Sequence, residues 1–413
     1  MSLIIKNNQN SILRQLHAIG LTQEEVESAI ITDEPKLPNY ICLPNSVYDS
    51  ERCHGQGFDT NINRARIKSV AECLERICLF YPDKNSTPIV KFDGQLNFVN
   101  PLSFVSYSEK QIDREEHEAE IRRNKMSWWP AVDILNNSEV FVPTQLLFLS
   151  GDFDGEFQIR RERISTGCAF GKCGESRALY SGFFEVIERD AIMGAYLMKR
   201  GLPKINNLPK EIKELVEYYN RYNLEVHIFD ATSDLGIPTV MSLVLDNTGI
   251  GEAVNLGAKS GKNYFECIRG SLFEAIQPRR AARMAYILNP ERLKFDESKE
   301  INGMEERYAY WHPVERIGDI DFWLDSHLEA DYNLLSRKNM SLKESLDIIR
   351  SREFSVYVSD ITLPKIKEKG FETLKVLIPE LHPLYLAENA KALYSVHYGE
   401  IHDNPKLKPH PFT

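Results

Sequence analysis

The spacing of apolar residues along the chain predicts three long helices. Over 62–80, Ile67, Val70, Leu74, Ile77 and Cys78 recur at intervals that place them on one face. A second helix is expected over about 175–199, after a Gly-containing loop at 165–174 (STGCAFGKCG), and a third over about 261–288. Alternating or apolar runs predict strands at Leu224–Phe229 and Val240–Leu245, separated by a Gly-Ile-Pro turn, and at Ser355–Ser359 and Thr373–Ile378. From 95 to 150 the pattern reads as strands and loops, with the prolines of Trp128-Trp129-Pro130 and Val140–Pro143 marking strand edges. The densely charged stretch 108–125 suits an exposed helix or a mobile loop, and 51–60 (ERCHGQGFDT) reads as a loop. Residues 1–50 read as a leader segment with one small helix, opened by the Thr22…Glu25 spacing of a capping box. The tail, NPKLKPHPFT, has too much proline to be helical. No Gly/Ser linker divides the chain, which predicts an α+β fold: a leader at 1–50, then a single catalytic domain of mixed sheets and helices at 51–413 ending in the Pro-rich tail.

Composition narrows the class. Hydrophobic residues are 42% and charged residues 27% of 413, a globular balance that excludes general disorder. Fifty Lys and Arg against 60 Asp and Glu give a net charge of −10, without the basic footprint of a nucleic-acid binder. No run of 18 apolar residues predicts a membrane span. Seven cysteines, an odd number without a secretory signal, fit reduced thiols and a cytoplasmic protein, and their spacing is not that of a zinc knuckle.

The candidate chemistry lies on the three helices. The first carries Glu72-Cys-Leu-Glu75-Arg76, the second Glu185-Val-Ile-Glu188-Arg189, and the third Glu274-Ala-Ile-Gln277-Pro-Arg279-Arg280. In each, two acceptors three residues apart share a helical face, and like charges there are mutually destabilising. One such motif usually denotes a solvated face with a salt bridge. Three copies, two of them inside apolar runs, point to a shared cation, because an unpaired buried carboxylate costs several kcal/mol. Magnesium fits, since it combines a few carboxylates with substrate phosphates, and arginine answers phosphate oxygens with paired hydrogen bonds. No Walker motif, Gly-x-Gly-x-x-Gly, Gly-x-Ser-x-Gly or His-Glu-x-x-His is present.

Taken together, Lys68–Arg76, Ser165–Gly171 leading into Gly182–Ala191, Asn255-Leu-Gly-Ala258, Glu274–Gln277, Tyr357–Thr362 and Lys375–Tyr385 resemble the YcaO family over roughly 55–413. The resemblance implies ATP and Mg2+ as cofactors, with Glu72, Glu75, Glu185, Glu188 and Glu274 toward the metal. It also implies that Gln56, Lys68, Lys172, Arg189, Gln277, Arg279 and Arg280 face the nucleotide, Arg189 holding phosphate. The late segment is most similar to the branch that cyclises Cys, Ser or Thr of ribosomal peptides to azolines, where ATP phosphorylates the oxygen of the former backbone amide. In that branch a Pro-rich tail brings its terminal carboxylate to the site as a base, here Thr413 of PHPFT. A frayed, disordered end is the alternative reading of that tail. The chain departs from the family's pattern at Gln56, where Lys is usual, at Arg177, where Glu is expected, and at Lys172, where Asn or a small polar residue is common. The resemblance further implies a precursor-peptide substrate, an E1-like partner for leader recognition, and a homodimer. Two other readings stand beside it: the same ATP site making a thioamide or amidine, and a non-catalytic subunit binding a peptide or partner.

Overall fold

The computed structural model describes residues 2–29, 31–82, 88–94, 97–150, 153, 155–298 and 300–412. The first acidic helix runs Ile62–Phe80, capped by the Asn61 side chain, which accepts the Arg64 N–H at 3.1 Å. Its inner face packs Val70, Cys73, Leu74, Ile77 and Cys78, all fully buried. Against it lies a strand where a loop was expected: Gly55–Phe58 pairs antiparallel with Asn39–Cys42. The glycines allow this. A Cβ on Gly57 would sit 1.8 Å from Ala65 O, and one on Gly55 would sit 2.1 Å from Ser69 O, so strand and helix backbones touch.

The small helix expected near Thr22 does not form. A helix occupies Ser2–His17 instead, Thr22 bridges to Pro44, and Val26–Glu27 extends the Asn39–Cys42 sheet. The Glu25 carboxylate is drawn away from capping by Arg66 and by His17 Nε2 at 2.7 Å.

The second acidic helix, Arg177–Leu197, has 15 of its 21 residues buried because it runs between two sheets. Phe183, Phe184, Val186 and Ile187 pack with Val376 and Ile378 on one side, while Ile192, Met193, Ala195 and Tyr196 pack with Met241, Leu243, Leu256 and Ala258 on the other. At ~1.5–3 kcal/mol for each large apolar side chain, this double burial makes the helix the central strut. One sheet orders Ile89–Lys91, Lys125–Asp133, Tyr357–Asp360, Phe371–Leu377 and Cys168–Lys172, with Ser138–Pro143 also paired to Lys125–Asp133. Cys168–Lys172 thus turns part of the expected 165–174 loop into strand. The other sheet orders Val254–Ser260, Thr239–Asp246, Leu224–Asp230, Lys204–Asn206 and Glu329–Asp331, and only its last pair is parallel. The third acidic helix, Tyr264–Leu288, lies along Val254–Ser260, where Gly257 brings the strand against the Ser271 and Ala275 backbone. The α+β expectation holds.

Pro143 ends its strand as expected, but Pro130 lies mid-strand. It faces Phe141 on one edge; on the other edge, Ile89 pairs with Ser127 and Val358 with Val132, leaving Pro130 in the gap where no N–H is required. The charged stretch resolves as a helix, Arg114–Arg123, capped by Asp113. Residues 404–412 are non-helical and anchored rather than frayed. Tyr196 Oη donates to Lys408 O at 2.9 Å, Arg307 Nη1 donates to His410 O at 2.6 Å, and Phe412 is buried. Thr413 lies outside the described residues.

Gly57→Ala is expected to cost about 2 kcal/mol or more, because backbone cannot yield as a side chain does. Gly303→Ala, whose Cβ would meet only a carboxylate oxygen at 3.6 Å, should cost under about 0.5 kcal/mol. Urea unfolding of the two variants measures the difference.

Candidate active site

The three acidic helices converge: Arg189 joins the second and third, and Glu75 of the first lies within electrostatic reach of Glu185. Its guanidinium lies 3.3 Å from Glu188 Oε1, 3.4 Å from Glu274 Oε1 and 3.8 Å from Glu185 Oε1. Glu188 is almost fully buried, and its Oε2 accepts the Ser260 N–H at 3.1 Å and lies 3.4 Å from Lys259 Nζ. Glu185 Oε2 accepts the Gly167 N–H at 3.1 Å, so the STG turn touches the second helix directly. On the first helix, Glu72 Oε1 pairs with Arg76 Nη2 at 2.8 Å and its Oε2 accepts the Gln56 N–H at 3.0 Å. The Gln56 side chain donates to Asn39 Oδ1 at 3.1 Å.

The electrostatics are those of crowded, desolvated carboxyls. Burial pushes the Glu75 carboxyl well above its usual range, and Glu185 and Glu72 push it further. Burial also raises Glu185, with Arg189 opposing. Glu274 is raised to about 7 by burial and then by Glu188, against Arg189 and Lys259. The surrounding cations respond: Lys259 is held above its usual value, mainly by Glu188. Lys375, fully buried on strand Phe371–Leu377, is brought down to about 8 by burial and donates to Ile164 O and Ser165 O at 2.9 and 2.7 Å. Lys259 and Lys375 are functional candidates that motif reading passed over. The signal was present in each case as a lysine set beside apolar residues, Leu256 and Ala258 in one strand and Leu374 and Val376 in the other.

The remaining expected residues divide. Gln277 follows Glu274 by one turn on the third helix. Lys68 is tied to Asp59 Oδ2 at 3.0 Å and to Phe58 O at 2.9 Å, and burial lowers its pKa. Lys172 is exposed and sits 3.6 Å from Glu175. Arg279 and Arg280 do not join the carboxylates. Arg279 is buried between Glu34 and Asp246, with Asp246 Oδ2 at 2.8 Å, and Arg280 donates to Ser28 O and Ala29 O at 3.1 and 2.6 Å. They follow Pro278 on helix faces turned to the N-terminal segment, and burial of Glu34 and Asp246 holds Arg279 there.

The residues present fit magnesium and a triphosphate. The donor set is hard carboxylate oxygen with too little positive charge around Glu75 and Glu185, and Arg189 Nε is buried without a hydrogen-bond partner among the described residues. No three His, Cys, Asp or Glu side chains among the described residues form a ready-made cage. Magnesium sites that use a few carboxylates are completed by substrate phosphates and water.

Two outcomes follow. Glu274 holds its proton to about 7 in the fold against 4.5 ordinarily, so folding takes up a proton there. That stabilisation is full below about 4.5 and is lost as pH rises through about 7. Metal-free protein should therefore lose Tm across this window, with Mg2+ and ATP flattening the slope; a rising Tm contradicts the assignment. Arg279→Ala strands two buried carboxylates and should lower unfolding free energy by about 3–5 kcal/mol in denaturant titrations.

Comparison with known proteins identifies the family and the fold. A family model described as YcaO cyclodehydratase, ATP- and Mg2+-binding, matches residues 55–382. A heterocyclase solved in complex with substrate and cofactor superposes with TM-score 0.73 at 15% identity, over 97% of this chain and 57% of that one. YcaO from Methanopyrus kandleri, bound with AMPPCP and Mg2+, gives 0.63 at 16% identity over 90% and 91% of the two chains. A chain of the E. coli microcin synthetase McbBCD complex with pro-MccB17 gives 0.62 at 12% identity, over 86% and 88%. These likenesses are of fold. Among curated proteins, an uncharacterized protein in the tfuA 3' region of Rhizobium leguminosarum bv. trifolii is 30% identical over 132 residues, which span 30% of this chain and 31% of that relative. Among the described residues, no helix is long and apolar enough to cross a membrane. The family match covers most of the chain and contains all five converging glutamates, and the chain belongs to the YcaO family, whose cofactors are ATP and Mg2+.

Proposed function

We propose that this chain uses ATP to activate peptide backbone amides and cyclises Cys, Ser or Thr residues of a ribosomal peptide to azolines. The observation that carries this reading is Arg189, reaching glutamates of the second and third helices while its Nε stays unpartnered. Such an arginine can grip phosphate oxygens without moving. The side chain of the substrate residue attacks the preceding carbonyl carbon, and the oxygen of the resulting adduct takes the terminal phosphoryl group of ATP. Phosphate then leaves with that oxygen while the ring nitrogen gives up its proton, and the C=N bond of the azoline forms. Amide oxygen is a poor leaving group, and phosphorylation makes it a good one. Glutamates from the set Glu72, Glu75, Glu185, Glu188 and Glu274 would hold magnesium, which when bound neutralises phosphate charge.

The chain's own residues supply position and charge. Arg189 orients the phosphates, Glu188 fixes Arg189, and the Gly167 N–H holds Glu185 in place. The Pro-rich tail is anchored at Lys408 by Tyr196 and at His410 by Arg307. Two structural neighbours, a heterocyclase solved with substrate and cofactor and a microcin synthetase complex with pro-MccB17 bound, support a peptide substrate. We extend the reading to an E1-like leader-binding partner and to a homodimer acting in the cytoplasm.

Glu188→Ala should lower peptide-dependent phosphate release at least about 100-fold, the scale of losing a preorganised charge contact. The intact mass of the product peptide should show loss of one water per modified residue. Exchange of oxygen for sulfur would identify thioamide formation instead. Undiminished turnover in a folded Glu188→Ala protein would overturn the reading.

A further inference from the structure

The carboxylate cluster is uneven. Glu188 is fully engaged, Oε2 by the Ser260 N–H and the Lys259 ammonium and Oε1 by Arg189. Lys259 also lies within electrostatic reach of Glu274 and Glu185. The opposite side holds Glu72, Glu75 and Glu185, where carboxyls crowd one another and the cations are Arg76, Arg189 and Lys375. Both oxygens of Glu188 are thus matched by protein cations, whereas at Glu75 burial and the neighbouring Glu185 and Glu72 outweigh Arg76 and Lys375.

Lys259 is placed deliberately by the backbone. Gly257 and Lys259 are two apart on strand Val254–Ser260 and so share a face. Gly257 brings that face onto the third helix, where its Cβ would fall 2.2 Å from Ser271 O. The Lys259 stem then crosses Gly270, at which a Cβ would stand 2.9 Å from Lys259 Cγ and 3.1 Å from Cδ. Two glycines on facing elements make the channel that delivers the ammonium to Glu188. The Lys259 side chain as a whole keeps 43% exposure, while Glu188 is buried.

An ammonium 3.4 Å from Glu188 Oε2 competes with a magnesium ion, which would need the same oxygen at about 2.0–2.1 Å. Two cations cannot share that lone-pair region in a site this dry. We propose that Lys259 is a resident cation standing in for a magnesium ion at Glu188, confining metal to the Glu72, Glu75 and Glu185 side and meeting the nucleotide's phosphates itself. Lysine suits this as a compact charge with three donors. The inference rests on the ATP-dependent reading above and adds a specific division of labour to it.

The test counts Mn2+ bound per chain by electron paramagnetic resonance, in the full chain saturated with the non-hydrolysable analogue AMPPCP. Lys259→Met should bind one more Mn2+ than wild type, Lys259→Arg the same number as wild type, and Lys259→Met with Glu188→Gln should return to the wild-type number. A second measurement uses the unaltered protein. AMPPCP should protect Lys259 from amine acylation, read by peptide mass spectrometry, and added Mn2+ should leave that protection intact. An unchanged Mn2+ count in Lys259→Met, or acylation of Lys259 restored by Mn2+, overturns the inference. If either occurs while the wild type still consumes ATP and dehydrates peptide, the cyclodehydratase reading survives. Absence of any AMPPCP-dependent Mn2+ binding in the wild type would sink both.

Discussion

Arg189 is the constraint around which this fold is built. Carboxylates brought from three helices into a desolvated space repel one another, and burial makes the repulsion stronger than it would be in water. On the second and third of these helices, one guanidinium within 4 Å of Glu185, Glu188 and Glu274 turns that repulsion into a defined geometry. Its helix is held in turn by sheets on both sides and by the fully buried Asp190, which accepts from the His382 N–H at 2.8 Å and the Tyr398 hydroxyl at 3.2 Å and pairs with His397 Nδ1 at 2.8 Å. The neighbour of Arg189 is therefore fixed to the C-terminal segment.

Such an arrangement is costly without its ligands. Burial raises the carboxyls of Glu75, Glu185 and Glu274 in the free protein, and a site designed only for stability would have replaced them with apolar residues. Retaining them keeps charge ready for a cation and a polyphosphate, the usual bargain between stability and function. The Glu34–Arg279–Asp246 group shows the opposite solution, a buried ion cluster closed on itself.

The three acidic helices were legible because their apolar period and their paired carboxylates conflict, and that conflict marks function. Two kinds of feature were not legible. Short strands that depend on glycine, such as Gly55–Phe58, have no propensity signal; their reason lies in a helix backbone that passes within contact distance. Partner choice is the other. Ser341 and Glu344 form a true capping box on helix Leu342–Ser351, while the same spacing at Thr22 and Glu25 yields none, because Arg66 and His17 claim the carboxylate. The family resemblance points Arg279 toward the nucleotide, yet the decisive fact is that Glu34 and Asp246 are buried beside it. The E-x-x-E spacing places pairs on a face, but which cation stands opposite, Lys259 or Lys375, is a matter of sheet register.

Tyr196 gives the tail a mechanical link to the chemistry. Its hydroxyl bonds the carbonyls of Lys408 and Pro409, at 2.9 and 3.0 Å, from the helix that carries Glu188 two turns earlier, about 12 Å along the axis. Phe412 packs against the same ring. Shortening the chain before Lys408 would strip the far end of that helix of its cover as well as deleting terminal groups. Loss of function in a shortened protein would then mix two causes, and single-residue exchanges at the tip separate them.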